Sequence, residues 1–155
     1  MRYTRPIALA IAALGLFALI GVAAPARAAT QVPFTITEQV NFATGVNTFT
    51  ATGPLCPSGT FEDTVATFAG VRSGQPKVNL LITTVYTCDD GSGTFDMLKH
   101  VFITVNPDGS FSNTGPVQIL GGTGAYAGLI GHGVDNGTGS GDTAVGQITG
   151  WVLQG

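Results

Sequence analysis

Eight short β-type runs, each closed by a cluster of turn residues, occupy almost all of the chain after its first thirty positions. They cover residues 32–40, 47–52, 59–68, 78–87, 94–106, 110–120, 131–136 and 143–153. Between them stand turn-forming groups such as Asp89-Asp90-Gly91-Ser92-Gly93, Asn106-Pro107-Asp108-Gly109 and the stretch 137–142. In the second of these Pro107 presets one turn dihedral and Gly109 supplies a positive one, the strongest hairpin signal in the chain. Parallel strands would need crossovers of a dozen residues or more, and no gap here offers one. The chain is rich in Thr and Gly and poor in Glu, Lys, Arg and Met, an inventory for strands and turns rather than helices. Strands without helices to cover a sheet edge must close on themselves or stack, so the pattern predicts an all-β barrel or sandwich.

The fifth run carries the clearest alternation. Phe95, Met97, Val101 and Ile103 share one parity with Val105 and should face a core, leaving Asp96, His100 and Thr104 on the other side. Lys99 falls on the apolar parity. Its expected place is near a barrel mouth, where the stem is covered and the ammonium reaches water. A barrel of this size either fills itself with side chains or holds one small ligand. Phe95, Met97, Lys99, Val101 and Ile103 are therefore the candidate ligand-lining residues.

Residues 1–28 read as an export leader. Arg2 and Arg5 precede an apolar run over 7–24, and Ala26-Arg27-Ala28 is a small-x-small cleavage site. An uncleaved anchor is the alternative, but Gly21, Pro25 and that site suit a protease-accessible end better than a continuing helix. Cleavage after Ala28 leaves a domain over 29–155 in which Arg72, Lys77 and Lys99 face nine acidic side chains. So acidic a surface has no basic patch with which to neutralise phosphates, and nucleic acid is excluded as a partner. A secreted or periplasmic protein with no membrane attachment after cleavage is expected.

The two cysteines of the whole chain, Cys56 and Cys88, both lie in that exported part. An even pair in an oxidising compartment points to a disulfide. The segments around them echo one another: Cys56-Pro57-Ser58-Gly59-Thr60-Phe61 against Cys88-Asp89-Asp90-Gly91-Ser92-Gly93-Thr94-Phe95. In each, a cysteine precedes a turn that launches Ser-Gly-Thr-Phe. No metal site is expected, because zinc wants four ligands and neither His100 nor His132 stands at a matching spacing from the cysteines. Asp89, Asp90, Asp135 and Asp142 lack the regular spacing of a calcium loop.

Gly122-Thr123-Gly124-Ala125-Tyr126-Ala127 fits the dinucleotide fingerprint in letters, with Asp142 twenty residues beyond Gly122. The fingerprint works only where a helix opens in the loop and aims its amides at pyrophosphate. Here Gly128, Gly131, Gly133, Gly137, Gly139 and Gly141 follow, too many for a helix, so no nucleotide cofactor is expected. The wider segment from Ile119 through Gly121-Gly122-Thr123-Gly124-Ala125-Tyr126-Ala127-Gly128 to Gly133 resembles the signature of the allene oxide cyclase and dirigent-like barrel superfamily. Tyr86-Thr87-Cys88-Asp89-Asp90-Gly91-Ser92-Gly93-Thr94-Phe95 is similar to the same position in secreted bacterial members. The resemblance implies an eight-stranded antiparallel barrel whose glycines Gly121, Gly122, Gly124 and Gly128 permit a tight crossing between two late strands, with Tyr126 beneath it. It also implies a hydrophobic cavity that cyclises or orients reactive intermediates without a cofactor. The family's catalytic acids lie outside the shared signature, and no motif here takes them over.

The remaining polar residues form no nucleophilic constellation: there is no nucleophile-elbow serine, and two histidines give neither a Ser-His-Asp nor a Cys-His set. His132 and His100 read as surface strand residues. Glu62, Asp63 and Asp96 follow the two Ser-Gly-Thr-Phe copies and read equally as carboxylates at a barrel end or as solvated turns. Asn136-Gly137-Thr138 is a glycosylation sequon. Two function classes follow. One is a secreted barrel binding a small apolar ligand or, as the resemblance permits, steering its cyclisation; the other is a solidly filled structural or interaction module. The absence of a catalytic constellation favours the non-enzymatic side.

Overall fold

The structure, a computed structural model, describes residues 29–71 and 77–154. The expected leader over 1–28 and the turn at 73–76 lie outside the described residues. Strands β1 (Thr30–Asn41), β2 (Thr48–Thr52), β3 (Ser58–Val71), β4 (Lys77–Cys88), β5 (Thr94–Val105), β6 (Phe111–Gly122), β7 (Gly131–Ser140) and β8 (Thr143–Gln154) follow one another in sequence. Each pairs antiparallel with its sequence neighbours, and β8 pairs with β1 from Thr30 opposite Gln154 to Asn41 opposite Thr143, closing the sheet into a barrel. Closure leaves no row of unpaired backbone groups at a sheet edge over most of the wall, which settles the choice between barrel and sandwich.

The barrel has one sealed end and one open end. At the sealed end lie both ends of the described chain, the β2–β3 and β4–β5 turns, and the crossing from β6 to β7. Cys56 and Cys88 are bonded there, with Cα atoms 5.9 Å apart, because Cys88 stands opposite Gly59 in the β3–β4 ladder. The crossing makes one 3-10 turn at Gly124–Tyr126 that drops the Tyr126 ring, buried, against Phe95 at 5.5 Å between centroids. Gly124 has φ +59, and a side chain on it would collide with the carbonyl oxygen of Ser92. Gly122 lies in ordinary strand geometry but just as close to the carbonyl of Thr94. The crossing thus needs glycine once for conformation and once for approach.

Above this plug the interior is filled with rings. Tyr86 and Phe95 stack at 4.6 Å, and Phe49 stands edge-on to both at 5.2 and 5.8 Å. Ile36, Met97, Ile119, Ile148 and Val152 complete this fully buried layer. Offset and edge-to-face pairs of this kind add to the burial of apolar area itself.

Two details differ from the sequence reading. Residues 137–140 were expected in a turn, but they continue β7, with Gly137 opposite both Asn113 and Gly146, and Gly139 opposite Phe111 and Ala144. The side chains of Asn113 and Phe111 occupy the space that residues at 137 and 139 would otherwise fill, so the glycines mark close covering rather than a break. The Asn106 to Ser110 turn behaves as read: Gly109 has φ +85 and Asp108 accepts bonds from both the amide and the hydroxyl of Ser110. Those bonds hold the Asp108 carboxyl below its ordinary range.

Candidate functional site

Ionisable side chains from four strands meet inside the barrel. On β1, Glu38 shares the inward parity of Phe34 and Ile36; on β5, Lys99 shares that of Phe95, Met97 and Val101. In a closed ring of eight these strands stand half a turn apart, so the lysine stem crosses the lumen and its Nζ reaches Glu38 Oε1 at 2.5 Å. Both residues are almost sealed, Lys99 at 4% and Glu38 at 5% exposure. The Tyr86 hydroxyl of β4 donates a short hydrogen bond to the same oxygen and lies 3.9 Å from Met97 Sδ. The ammonium also sits over the rings of Phe61 and Tyr86, 5.3 and 5.4 Å from their centroids.

This corrects the expectation for Lys99. Its ammonium does not reach water at a mouth; a carboxylate of opposite charge from the far wall meets it inside. A buried charge persists only when paired and hydrogen-bonded, and Glu38 and the two rings supply those partners.

Asp135 on β7 adds a second carboxylate at 3% exposure. Its Oδ2 accepts a bond of 2.7 Å from Asn113 Nδ2, while its Oδ1 is buried without a partner. Burial pushes its pKa up to about 6, with the Glu38 charge adding to the rise and the Lys99 charge and the Asn113 bond opposing it. Burial, then the neighbouring Glu38 carboxylate, drives the Tyr86 phenol well above its ordinary value. Tyr86 therefore stays protonated and acts as a donor. Further along the inner wall Thr84 donates to Asp63 at 2.6 Å, linking the buried layer to an exposed carboxylate.

Toward the open end the inner wall is apolar and partly uncovered. β2 has five residues and meets β3 only over Ser58–Thr60, so from Glu62 onward β3 is paired with β4 alone. Ladder partners point to the same face, which places Ala66 beside Ile82 and Lys99, and Phe68 beside Leu80 and Val101. Ala66 and Phe68 thus face inward and are nevertheless exposed, Phe68 at 58%. Leu80, Ile82 and Ile103 are half-buried next to them. The result is an apolar approach above a polar floor. On the outside of the wall, a separate groove of about 510 Å³ is lined by uncharged groups, among them Thr37, Phe102, Thr104, Asn136 and Gln147.

The sequence-derived candidates divide between these regions. Phe95 and Met97 belong to the filled layer and have no exposed surface, Val101 is buried, and Ile103 stands on the approach. Gly121, Gly122, Gly124, Tyr126 and Gly128 build the sealed end, with positive φ at Gly121, Gly124 and Gly128. His100 and His132 point outward against Phe102 and Trp151, at 4.6 and 5.3 Å. Asp89 accepts a bond from Ser58, and Asp90 accepts one from the amide of Ser92. Among the described residues no three His, Cys, Asp or Glu side chains are grouped to hold a metal ion.

Sequence reasoning singled out neither Glu38 nor Tyr86, and set Asp135 among surface acids. Glu38 did leave a signal, since Phe34, Ile36, Glu38 and Val40 alternate on one parity as plainly as β5 does. No family model, no curated protein and no solved structure matches the chain.

Proposed function

We propose that this chain is an exported barrel that holds one small, mainly apolar guest at the open end of its lumen without transforming it. The observation that carries the reading is the inner wall of β3. Ala66 and Phe68 face the lumen yet stay exposed, and with Leu80, Ile82 and Ile103 they leave apolar surface uncovered directly above a buried charged pair. A monomeric protein leaves such surface open at some cost, and a concave apolar wall with a few converging polar groups is the usual form of a small-molecule site. The leader and the Cys56–Cys88 bridge support export. The resemblance to allene oxide cyclase and dirigent-like barrels, whose plant members use such a lumen, points the same way.

A second reading, cofactor-independent cyclisation or steering of a reactive guest, is favoured by one feature. The protonated Tyr86 phenol and the Asp135 carboxyl, near pH 6 in its titration, flank the same lumen and could give and take a proton while the wall fixes the guest's shape.

Titration with the neutral apolar dye Nile red tests the guest site. Wild type should show saturable emission, Ile103→Trp should lose it with its melting temperature kept, and Met97→Trp should unfold because its surroundings are full. If wild type takes up no dye, the filled structural module is the better account.

A further inference from the structure

The inner face of β8 contains a gap beside both carboxylates. Gly146 is buried on the inward parity of Ala144 and Ile148, opposite Gly137. A Cβ at Gly146 would stand 3.1 Å from Glu38 Oε2 and 3.5 Å from Asp135 Oδ1, with the next nearest atom, Glu38 Cβ, at 3.6 Å. The position is therefore a notch large enough for one heavy atom. An atom there lies in or near hydrogen-bonding range of two acceptors, one of which, Asp135 Oδ1, has no partner at all.

We infer that the guest carries a hydroxyl, alcoholic or phenolic, which seats in the Gly146 notch and donates to Asp135 Oδ1. This deepens the lumen reading and rests on it. A buried, unpaired carboxylate oxygen is costly to leave unmade, and a neutral donor satisfies it without bringing a further charge into the barrel. An anionic head group is disfavoured on the same grounds. Two carboxylates border the notch, while the ammonium of Lys99 is already engaged by Glu38 and by the faces of Phe61 and Tyr86. Toward the open end the neighbouring positions are small, Ala144 and Gly139. Only the half-buried ring of Phe111, with exposed Phe42 at 6.3 Å from it, lies over them. A flat apolar skeleton entering past these two rings would bring its hydroxyl to the notch.

Three probes of one skeleton read this directly: naphthalene, 1-naphthol and 1-naphthoate, titrated at pH 7.5 by calorimetry into the full exported protein. The hydroxyl should tighten binding about tenfold or more over naphthalene, the usual worth of a charge-assisted hydrogen bond, and the carboxylate should abolish it. Gly146→Ala fills the notch with a methyl group. It should erase the advantage of 1-naphthol and leave naphthalene within about twofold. Asp135→Asn is the second variant, needed if Gly146→Ala does not fold. Its amide oxygen would stay on the Asn113 side to accept the existing bond, turning its NH₂ to the notch, so a donor in place of an acceptor should remove the preference for the hydroxyl. Equal affinity for naphthol and naphthalene in wild type, or an advantage that survives both substitutions, overturns the inference while the lumen site stands. Failure of all three probes to bind overturns both.

Discussion

Replacing Lys99 by methionine tests the buried pair with little change of volume. The methionine side chain is unbranched and close in length to the lysine stem, so it still fills the lumen over Phe61 and Tyr86. What is lost is the ammonium 2.5 Å from Glu38 Oε1 and its placement over two rings. Glu38, at 5% exposure, then keeps a single donor, the Tyr86 hydroxyl. Removing one partner from a sealed ion pair costs about 3–5 kcal/mol, because an uncompensated charge stays inside. Against a typical domain stability of about 5–15 kcal/mol this brings the fold close to its limit. The double variant Lys99→Met with Glu38→Gln should recover about half of that or more, since the amide oxygen can still accept from Tyr86 and no charge remains unpaired. Urea unfolding at pH 7 with the disulfide intact, followed by Trp151 as the one tryptophan of the chain, measures all three proteins. Similar m-values would show that the comparison concerns stability alone. A cost below about 1 kcal/mol for Lys99→Met, or a double variant no more stable than the single one, refutes the reasoning.

The raised Asp135 value has a definite sign in stability. The folded state favours the protonated carboxyl, so its stabilising contribution is complete below about pH 4 and is lost as pH rises through about 6, a span worth about 3 kcal/mol. Asp135→Asn should therefore melt at a higher temperature than wild type at pH 7, with the difference closing toward pH 4; a difference independent of pH contradicts the assignment. Cys88→Ser should lower stability by about 3–4 kcal/mol, read in the same urea assay, and two freely alkylated thiols in native material would remove the premise. Gly124→Val should fail to fold or melt far lower, because φ +59 and the Ser92 carbonyl both reject a branched side chain; an unchanged melting temperature would refute the account of the crossing. Intact-mass analysis of exported material should give a chain beginning at Ala29, and a chain beginning at Met1 in a membrane fraction would contradict the leader.

What could be read in advance depended on side-chain parity. β5 alternates from Phe95 to Ile103, and its burial follows that alternation closely, as do its turns. β7 could not be read in this way, because glycines at 131, 133, 137 and 139 have no side chain to alternate; Asp135 then looked like one more surface acid. Its burial becomes visible only when Asn113 of β6 is placed across from Gly137. The partner of Lys99 lies 61 residues earlier in sequence, and only ring closure puts β1 and β5 on facing walls. Local pattern indicated that Lys99 points inward; which charge would meet it was a matter of topology. The uncovered approach has a similar origin. β2 was expected to be short, and the consequence, that β3 projects past it with Ala66 and Phe68 facing a gap, follows from register rather than from composition.

The central claim, a guest held at the open end above the Glu38–Lys99 floor, is tested most directly by mapping where a probe binds. Titrating 1-naphthol into methyl-labelled protein should shift the methyl resonances of Leu80, Ile82, Val101 and Ile103, which share the inner wall of the approach. It should leave Leu120, Ile130 and Val134, exposed on the outside and at the sealed end, unchanged. Shifts confined to those outer methyls, with the inner set unmoved at saturation, would contradict it.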